Sequence, residues 1–321
     1  MSPAVSIILP TFGRLEFLPT AIESAFAQTF SDWELIIADD GSTGETRAYL
    51  QTLNNSPRVK VIWLAHTGRP GVVRNAALRE ARGEYVAFLD SDDVWLPTKL
   101  ATQMASLGRH AARKWSYTRF AQVDGSGHHP APGSVRSWPA PGGWILEKLL
   151  NEETVIALPS VVVSRQLLEE LGAFDEELVM CEDDELWLRL AAHSEIDGID
   201  APLTLIRRHG QHSGSDIIAW RDRRRVFEKA LRASAGGSLD PILRKLRADM
   251  AAGLARSQAA SGKRLGALCT LFLSVPYSWR YPQTWLGALR ATARACAPSA
   301  VQTFVRRYLH GHRVQSTVPR P

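Results

Sequence analysis

Three aspartates follow an apolar run within four positions. Residues 85–89 read YVAFL, and Asp90, Asp92 and Asp93 come directly after them. Carboxylates packed this closely repel one another unless a cation, a hydrogen-bond network or bulk water offsets the repulsion. The pattern leaves two alternatives, a solvated loop that caps a helix before Pro97 and a divalent-cation site. Mg²⁺ and Mn²⁺ are usually held by one or two carboxylates, and substrate phosphates complete the shell.

The elements that must position these aspartates alternate regularly through the first hundred residues. Nearly continuous apolar runs predict strands that are covered on both faces. Helical patterns lie between them: a capping box at Ser42–Glu45 predicts a helix that continues through Leu53, and a further helix is predicted to begin at Pro70 and to end at Gly83. The predicted strands are residues 5–10, 33–40, 59–64 and 84–90. Strand and helix in alternation predict a doubly wound, mostly parallel α/β sheet flanked by helices.

Three polar segments fall at the carboxyl ends of these strands. They are PTFGR (10–14), ADDGS (38–42) and LDSDD (89–93). Open α/β sheets bind ligands beyond the carboxyl ends of their strands. This coincidence favours a ligand site over a solvated loop, and it suggests that Asp40 accepts a hydrogen bond from a nucleobase N–H or a ribose hydroxyl.

Two basic residues have alternative interpretations. Arg74 lies in the helix that leads to the aspartate-bearing strand, where it would either contact a phosphate or lie at the surface. His209 follows the strand-like LTLIRR segment and is either a late metal ligand or an ordinary loop histidine.

A second acidic cluster, Glu182–Glu185, begins an amphipathic helix predicted over residues 182–194. Acidic side chains in a first helical turn complement the helix dipole, which accounts for most of the cluster. One of them could instead be a general base, and the pattern alone does not choose between Asp183 and Asp184.

Charge divides the chain near residue 215. From Arg207 onward there are 21 of the 38 Lys and Arg residues but 5 of the 33 Asp and Glu residues. The segments around residues 220–232, 242–250 and 285–295 read as helices with Arg-rich faces. Together with the apolar segment LFLSVPYSW (271–279), they would either lie on an anionic membrane surface, near a lipid-linked acceptor, or pack as a helical subdomain against an acidic core.

The cysteine spacing and the hydropathy of the sequence indicate where in the cell the protein is expected. The three cysteines lack CxxC spacing, which argues against a structural zinc site or a disulfide framework. The N-terminus shows no signal-peptide pattern, and no apolar run reaches the ~18 residues of a membrane span. A cytoplasmic protein, peripheral on the inner face of the cell membrane, is expected.

Longer stretches resemble a known family. SIILPTFGR…WELIIADDGSTGET, RNAALREARGEYVAFLDSDDVWLPTKL and LGAFDEEL…CEDDELWLRLA, followed by RRHG, are similar in order and spacing to family 2 glycosyltransferases of the GT-A fold. The likeness runs from Val5 to about His212. It implies a GT-A catalytic domain over 1–214, with nucleotide-sugar binding in 1–110 and acceptor binding and catalysis in 111–214. A basic helical region would occupy 215–321.

The resemblance also implies roles for individual residues. Asp183 would be the general base, and Asp92 and His209 would hold Mg²⁺ or Mn²⁺. Two departures occur, because Gly13 and Asp184 stand where the family commonly has Asn and Trp. The expected nucleotide-sugar site comprises Pro10, Thr11, Phe12, Arg14, Asp40, Arg74, Asp90 and Ser91.

The resulting hypothesis is an inverting transfer of sugar from a nucleotide-diphosphate-sugar, expected to be a UDP-sugar, to an acceptor hydroxyl. The acceptor would be a glycan or a lipid-linked molecule in cell-surface polysaccharide or glycolipid synthesis, and no nucleic-acid partner is expected. A nucleotidyltransferase is the first alternative, although PTFGRLEF lacks the Gly- and Lys-rich loop that such enzymes carry after the first strand. A catalytically silent nucleotide-sugar-binding protein is the second.

Overall fold

A computed structural model describes residues 2–53, 56–110, 112–128, 137–208, 216–234 and 236–296. His209 therefore lies outside the described residues. The chain divides into two compact units, Met1–Gly214 and Ser215–Pro321.

An eight-stranded mixed sheet organises the first unit, in the order β3-β2-β1-β4-β7-β6-β8-β5. The neighbouring strands β3, β2, β1 and β4 run parallel to one another, and β6 and β8 also run parallel. Strand β7 pairs antiparallel with β4 and β6, and β5 pairs antiparallel with β8. The predicted α/β fold with a mostly parallel sheet is thus confirmed. The strands are β1 (Val5–Thr11), β2 (Trp33–Asp39), β3 (Val59–Trp63), β4 (Tyr85–Phe88), β5 (Val94–Trp95), β6 (Trp115–Asp124), β7 (Val161–Ser164) and β8 (Ile196–Arg208).

Helices cover both faces of this sheet because the central strands are apolar on both sides. In β1, Ile7 and Leu9 face one buried cluster while Ile8 faces the other. Helices α1, α2 and α4 pack in the first cluster, and α3, α6 and α7 pack in the second. The helices of this unit are α1 (Leu18–Phe26), α2 (Gly44–Thr52), α3 (Pro70–Leu78), α4 (Lys99–Arg109), α5 (Leu146–Leu150), α6 (Arg165–Leu171) and α7 (Glu182–His193).

Two local predictions were wrong. The expected capping box is absent, since Thr43 precedes α2 and makes no side-chain cap hydrogen bond. The Ser42 hydroxyl instead accepts a hydrogen bond from the Gly13 N–H at 2.9 Å and so ties the loop after β1 to the loop after β2. Helix α3 ends at Leu78 rather than at Gly83.

The second unit is helical throughout its described part. Small apolar side chains fill its interior, where Ala252 and Ala255 of one helix meet Leu271 and Ala288 of two others. None of the described helices combines enough length with enough apolar character to cross a membrane. The helices are α8 (Asp216–Ser234), α9 (Asp240–Ala260), α10 (Arg264–Ser278) and α11 (Pro282–Cys296).

A lysine side chain is enclosed in the core of the first unit. Lys99, at the start of α4, is fully buried. Its Nζ donates to Gln103 Oε1 at 2.7 Å and lies 4.1 Å from the centroid of the Trp95 ring. Burial holds the pKa of Lys99 well below its ordinary value, since the charged form is poorly solvated there.

Lys99 should therefore make stability depend on pH. Between the lowered pKa of Lys99 in the fold and its ordinary pKa in the unfolded chain, the unfolded state binds a proton that the native state does not, so stability rises with pH. We expect the free energy of unfolding to rise with pH by up to roughly 1.4 kcal/mol per unit more in the wild type than in Lys99→Met. Urea unfolding between neutral and alkaline pH measures this slope.

The exposed Lys148 provides the matched control, because Lys148→Met should leave the slope unchanged. Equal slopes for the wild type and Lys99→Met would mean that Lys99 stays protonated in the fold.

Candidate active site

A cavity of about 360 Å³ opens at the carboxyl ends of β1, β2 and β4. All eight residues expected in the nucleotide-sugar site line this cavity, and so does Asp92. Asp183 is not among its lining residues, although Val179 and Met180, shortly before α7, are. The parallel pairing of β1 with β2 and β4 produces this convergence, since it brings three strand ends to one rim.

Arg74 is buried at the base of the cavity and joins two acidic segments. Its Nη1 donates to Glu182 Oε1 at 2.5 Å, and its Nη2 donates to Asp90 Oδ1 at 2.7 Å. Burial lowers the pKa of Arg74, but Asp90 and Glu182 raise it by more, so the guanidinium remains charged. The surface position considered for Arg74 is excluded, since 5% of the residue is exposed.

The interpretation of Glu182 as a simple complement of the helix dipole was incomplete. It is buried, and its carboxylate forms the ion pair that links the start of α7 to α3. The sequence did not indicate which of the four acidic residues in this helical turn points inward. The ion pair with Arg74 shows that it is Glu182.

Three arginines contact the aspartates that follow β4. Arg74 pairs with Asp90, Arg14 Nη1 lies 3.6 Å from Asp92 Oδ2, and the Arg207 backbone N–H donates to Asp93 Oδ1 at 2.8 Å. Asp93 is 5% exposed and does not line the cavity, whereas Asp92 does.

Burial raises the pKa values of Asp90 and Asp93, and repulsion from Asp92 raises both further. Arg74 acts in the opposite direction on Asp90, as Arg207 does on Asp93. The arginines therefore offset part of the repulsion that the sequence pattern implied.

Asp40 fixes the loop that follows β3. Its Oδ1 accepts hydrogen bonds from Thr67 N at 2.8 Å and Thr67 Oγ1 at 3.0 Å, and its Oδ2 accepts one from Gly68 N at 2.9 Å. These bonds hold the loop against the loop after β2 while Asp40 still lines the cavity. A Cβ at Gly41 would come within 2.9 Å of the His66 backbone N, so this close approach requires glycine.

His66 is a site residue that sequence reasoning missed. Its ring stacks on Phe12 with centroids 4.1 Å apart, and its Nδ1 donates to the Asp40 backbone oxygen at 2.9 Å. Phe12 is 48% exposed, so the stacked pair presents an aromatic surface at the cavity. The sequence could have indicated this position, because His66 follows β3, whose carboxyl end lies on the same edge of the parallel sheet as those of β1 and β2.

Asp183 and Asp184 differ in their surroundings. Burial, followed by the charges of Asp184 and Glu182, raises the pKa of Asp183 to about 8, while Arg74 acts in the opposite direction. Asp183 Oδ1 also accepts a hydrogen bond from Asp184 N at 2.9 Å. A carboxyl group with such a pKa can exchange a proton near neutral pH, which is the property of a general base.

Among the described residues, no group of three or more His, Cys, Asp and Glu side chains is arranged to enclose a metal ion. The donor set still fits Mg²⁺ or Mn²⁺, because these ions bind proteins through one or two carboxylates and take substrate phosphates as further ligands. Asp92 is the carboxylate placed for this, since its side chain is 24% exposed and lines the cavity.

A family model described as Glycosyl transferase family 2 matches residues 6–168, which is just over half of the chain. The chain belongs to this family. The match begins in β1 and ends in α6, so it includes Asp92 and all eight residues expected in the nucleotide-sugar site, but not Val179, Met180 or Asp183.

A relative whose name states an activity is similar over a large part of the chain. The Escherichia coli enzyme UDP-Glc:alpha-D-GlcNAc-diphosphoundecaprenol beta-1,3-glucosyltransferase WfgD is 30% identical over 196 residues, covering 61% of this chain and 73% of that protein. The chain spans about a third of the length of the first curated relatives that it matches.

Solved structures share the fold. S. aureus TarS 1–349 in complex with UDP-GlcNAc has a TM-score of 0.61 at 21% identity, covering 92% of this chain and 82% of that one. Mannosyltransferase PcManGT from Pyrobaculum calidifontis, in complex with GDP-Man and Mn²⁺, has a TM-score of 0.56 at 17% identity, covering 98% and 87%. The expected GT-A fold is confirmed.

The buried Arg74 ion pairs should contribute strongly to stability. We expect Glu182→Gln to lower the free energy of unfolding by about 3 kcal/mol, because it leaves the buried guanidinium with one carboxylate fewer. Urea unfolding followed by tryptophan fluorescence gives the change, and Trp187 lies in the same helix.

Glu169→Gln is the control, since Glu169 forms a solvent-exposed i,i+4 pair with Arg165. That pair should contribute under about 0.5 kcal/mol. Similar losses in both variants would contradict the structural role assigned to Glu182.

Proposed function

We propose that the chain is an inverting, metal-dependent glycosyltransferase that moves a sugar from a nucleotide-diphosphate-sugar to an acceptor hydroxyl. The convergence of Phe12, Asp40, Arg74, Asp90 and Asp92 on one cavity carries the proposal. Family membership supports the reaction class, and the raised pKa of Asp183 supports a base-assisted step.

The nucleotide end of the donor is assigned to the aromatic side of the cavity. Phe12 and His66 offer stacking surface to the base, and Asp40, which lines the same cavity, is the proposed acceptor for a base N–H. Asp90 is assigned to the ribose, and the charged guanidinium of Arg74 is assigned to the donor diphosphate. A UDP-sugar is the proposed donor, since names of relatives and structural neighbours include UDP-Glc and UDP-GlcNAc.

Asp92, with His209 as a further predicted ligand, would hold Mg²⁺ or Mn²⁺. When bound, this ion neutralises the charge that gathers on the departing diphosphate. Arg14, 3.6 Å from Asp92, adds a second positive charge near the same position.

Asp183 is proposed to accept the proton of the acceptor hydroxyl as that oxygen attacks the anomeric carbon. Glycosyl transfer passes through a transition state with oxocarbenium character, so base assistance is needed mainly at the nucleophile. The diphosphate leaves as a stabilised anion, and a strong general acid is therefore unnecessary. Attack on the face opposite the leaving group inverts the configuration of the anomeric carbon.

The acceptor is proposed to be a glycan or a lipid-linked molecule in cell-surface polysaccharide or glycolipid synthesis. The WfgD name specifies a diphosphoundecaprenol-linked acceptor, and another similar protein is a putative colanic acid biosynthesis glycosyl transferase from E. coli. The strongly basic region after residue 215 suits an anionic membrane surface. The proposed location is cytoplasmic, at the inner face of the membrane.

A panel of nucleotide sugars, each assayed for hydrolysis with and without Mn²⁺ or EDTA, tests the reaction. Metal-dependent release of a nucleoside diphosphate from one donor is the expected result. Donor binding without turnover, in the presence of lipid-linked and glycan acceptors, would identify a catalytically silent binding protein instead.

Asp92 and Asp93 should respond differently to the same substitution. Asp92→Asn should weaken Mn²⁺-dependent binding of UDP by at least about tenfold, because an amide is a poorer ligand than a carboxylate. Asp93→Asn should change it little, since the amide oxygen can still accept from the Arg207 N–H. Calorimetric titration measures both, and equal losses would show that the ligand is misassigned.

Asp183→Asn should lower kcat by about 10²–10⁴-fold, the usual contribution of a general base, with little change in UDP affinity. Asp184→Asn is the matched control, and it should cost a few-fold at most. Should Asp184→Asn be inactive and Asp183→Asn active, the base would be Asp184.

The pH profile gives an independent test of the same group. Because the pKa of Asp183 is raised to about 8, the reactive carboxylate is the minor form at pH 7. We therefore expect kcat/KM to rise about tenfold per pH unit below that value and to level off above it. Glu182→Gln removes one of the charges that raise this pKa, so it should move the inflection to lower pH.

A further inference from the structure

Helix α10 places most of its large apolar side chains outward and, apart from Leu271, buries small ones. The buried positions are Ala267, Thr270, Leu271, Ser274 and Ser278. The exposed large apolar side chains, with their exposed fractions, are Leu265 (79%), Leu268 (46%), Phe272 (78%), Leu273 (67%), Val275 (38%) and Trp279 (62%), the last immediately after the helix. These six residues form the α10 apolar face. A helix that only completed the core of this unit would show the opposite arrangement.

The α10 apolar face is continuous and uncharged. At about 100° per residue, its members occupy roughly 160° of the helix circumference. No charged residue occurs from Leu265 to Trp279. The helix has 15 residues, about 22 Å in length, which is too short to cross a bilayer but long enough to lie along its surface.

Basic residues border this face at both ends. Lys263 and Arg264 precede it, and Arg280 follows it, all three exposed. The Arg280 guanidinium lies 5.3 Å from the centroid of the Trp279 ring. Tryptophan and arginine are residue types that favour the boundary between headgroups and acyl chains.

The surrounding sequence has a single sign of charge. Residues 250–321 contain ten Lys and Arg residues and no Asp or Glu. A second copy of this chain would bring the same positive charges against the face, and they would repel. An anionic lipid surface supplies both the apolar medium and the negative charge that these residues lack.

We propose that the α10 apolar face inserts into the headgroup and acyl boundary of an anionic phospholipid bilayer, with the flanking basic residues contacting lipid phosphates. In α11, the exposed Leu286 adds a further apolar side chain and the exposed Arg290 a further positive charge. The inference deepens the proposed function, on which it rests for the membrane-bound acceptor. It identifies α10, rather than the Arg-rich helix faces alone, as the membrane contact.

Vesicle sedimentation of the full-length protein tests the proposal without any donor or acceptor. We expect binding to vesicles of phosphatidylcholine mixed with phosphatidylglycerol, and weaker binding to phosphatidylcholine alone or at high salt. The double variant Leu265→Gln/Phe272→Gln should lose roughly 100-fold in apparent affinity for the mixed vesicles, about tenfold for each side chain.

Trp144→Gln is the matched control, because Trp144 is a large apolar side chain of the first unit that is also mostly exposed (62%). It should bind vesicles as the wild type does. Both substituted positions of the double variant are exposed, so its circular dichroism and its hydrolysis of soluble nucleotide sugar should match those of the wild type. That hydrolysis readout separates failure of the membrane contact from failure of the proposed transferase reaction.

Three results would overturn the proposal. Wild-type protein that ignores the mixed vesicles at low salt would exclude the bilayer as the occupant. Unchanged binding by the double variant would assign the contact to basic residues alone. A wild-type dimer in sedimentation velocity that the double variant converts to a monomer, without vesicle binding, would make the face an interface between copies of the chain.

Discussion

The structure of the site depends on placing many carboxylates close together in a partly buried space. Arg74 is the residue that makes this arrangement tolerable, because it pairs with Asp90 at 2.7 Å and with Glu182 at 2.5 Å. A buried charge without partners is strongly unfavourable. The guanidinium and the two carboxylates therefore stabilise one another, and loss of any one of them would leave a buried charge that destabilises the fold. This ion-pair cluster joins the end of β4 to the start of α7, and thereby joins the expected donor site to the expected base.

The same cluster sets the electrostatics of both parts. Arg74 acts against the effects of burial and of neighbouring carboxylates, which raise the pKa values of Asp90 and Asp183. Charge that a donor diphosphate and its metal ion bring to the cavity would act on these groups through the low-dielectric interior. A physical link of this kind would make the proton affinity of the base depend on whether the donor is bound.

The second unit shows what a residue pattern leaves open. The sequence marks Arg-rich helix faces and the apolar segment 271–279, but it does not show which side of α10 is exposed. Periodicity shows that Leu265 and Phe272 share a side of the helix, yet it does not show whether that side meets α9 or the outside. The packing of Ala252 and Ala255 against Leu271 decides the matter, since small side chains allow the helices to approach closely.

The sequence by itself determined the alternation of strands and helices over the first hundred residues, the mostly parallel sheet, and the rim at which Phe12, Asp40 and Asp90 would meet. These features follow from periodicity and from chain direction, which are local properties. Only the tertiary structure decided that Arg74 is buried, that Glu182 rather than its neighbours pairs with it, and that His66 stacks on Phe12. Those outcomes depend on contacts between segments far apart in the chain, such as α3 with the start of α7. Charge balance and close packing choose such contacts, and neither leaves a local pattern in the residues.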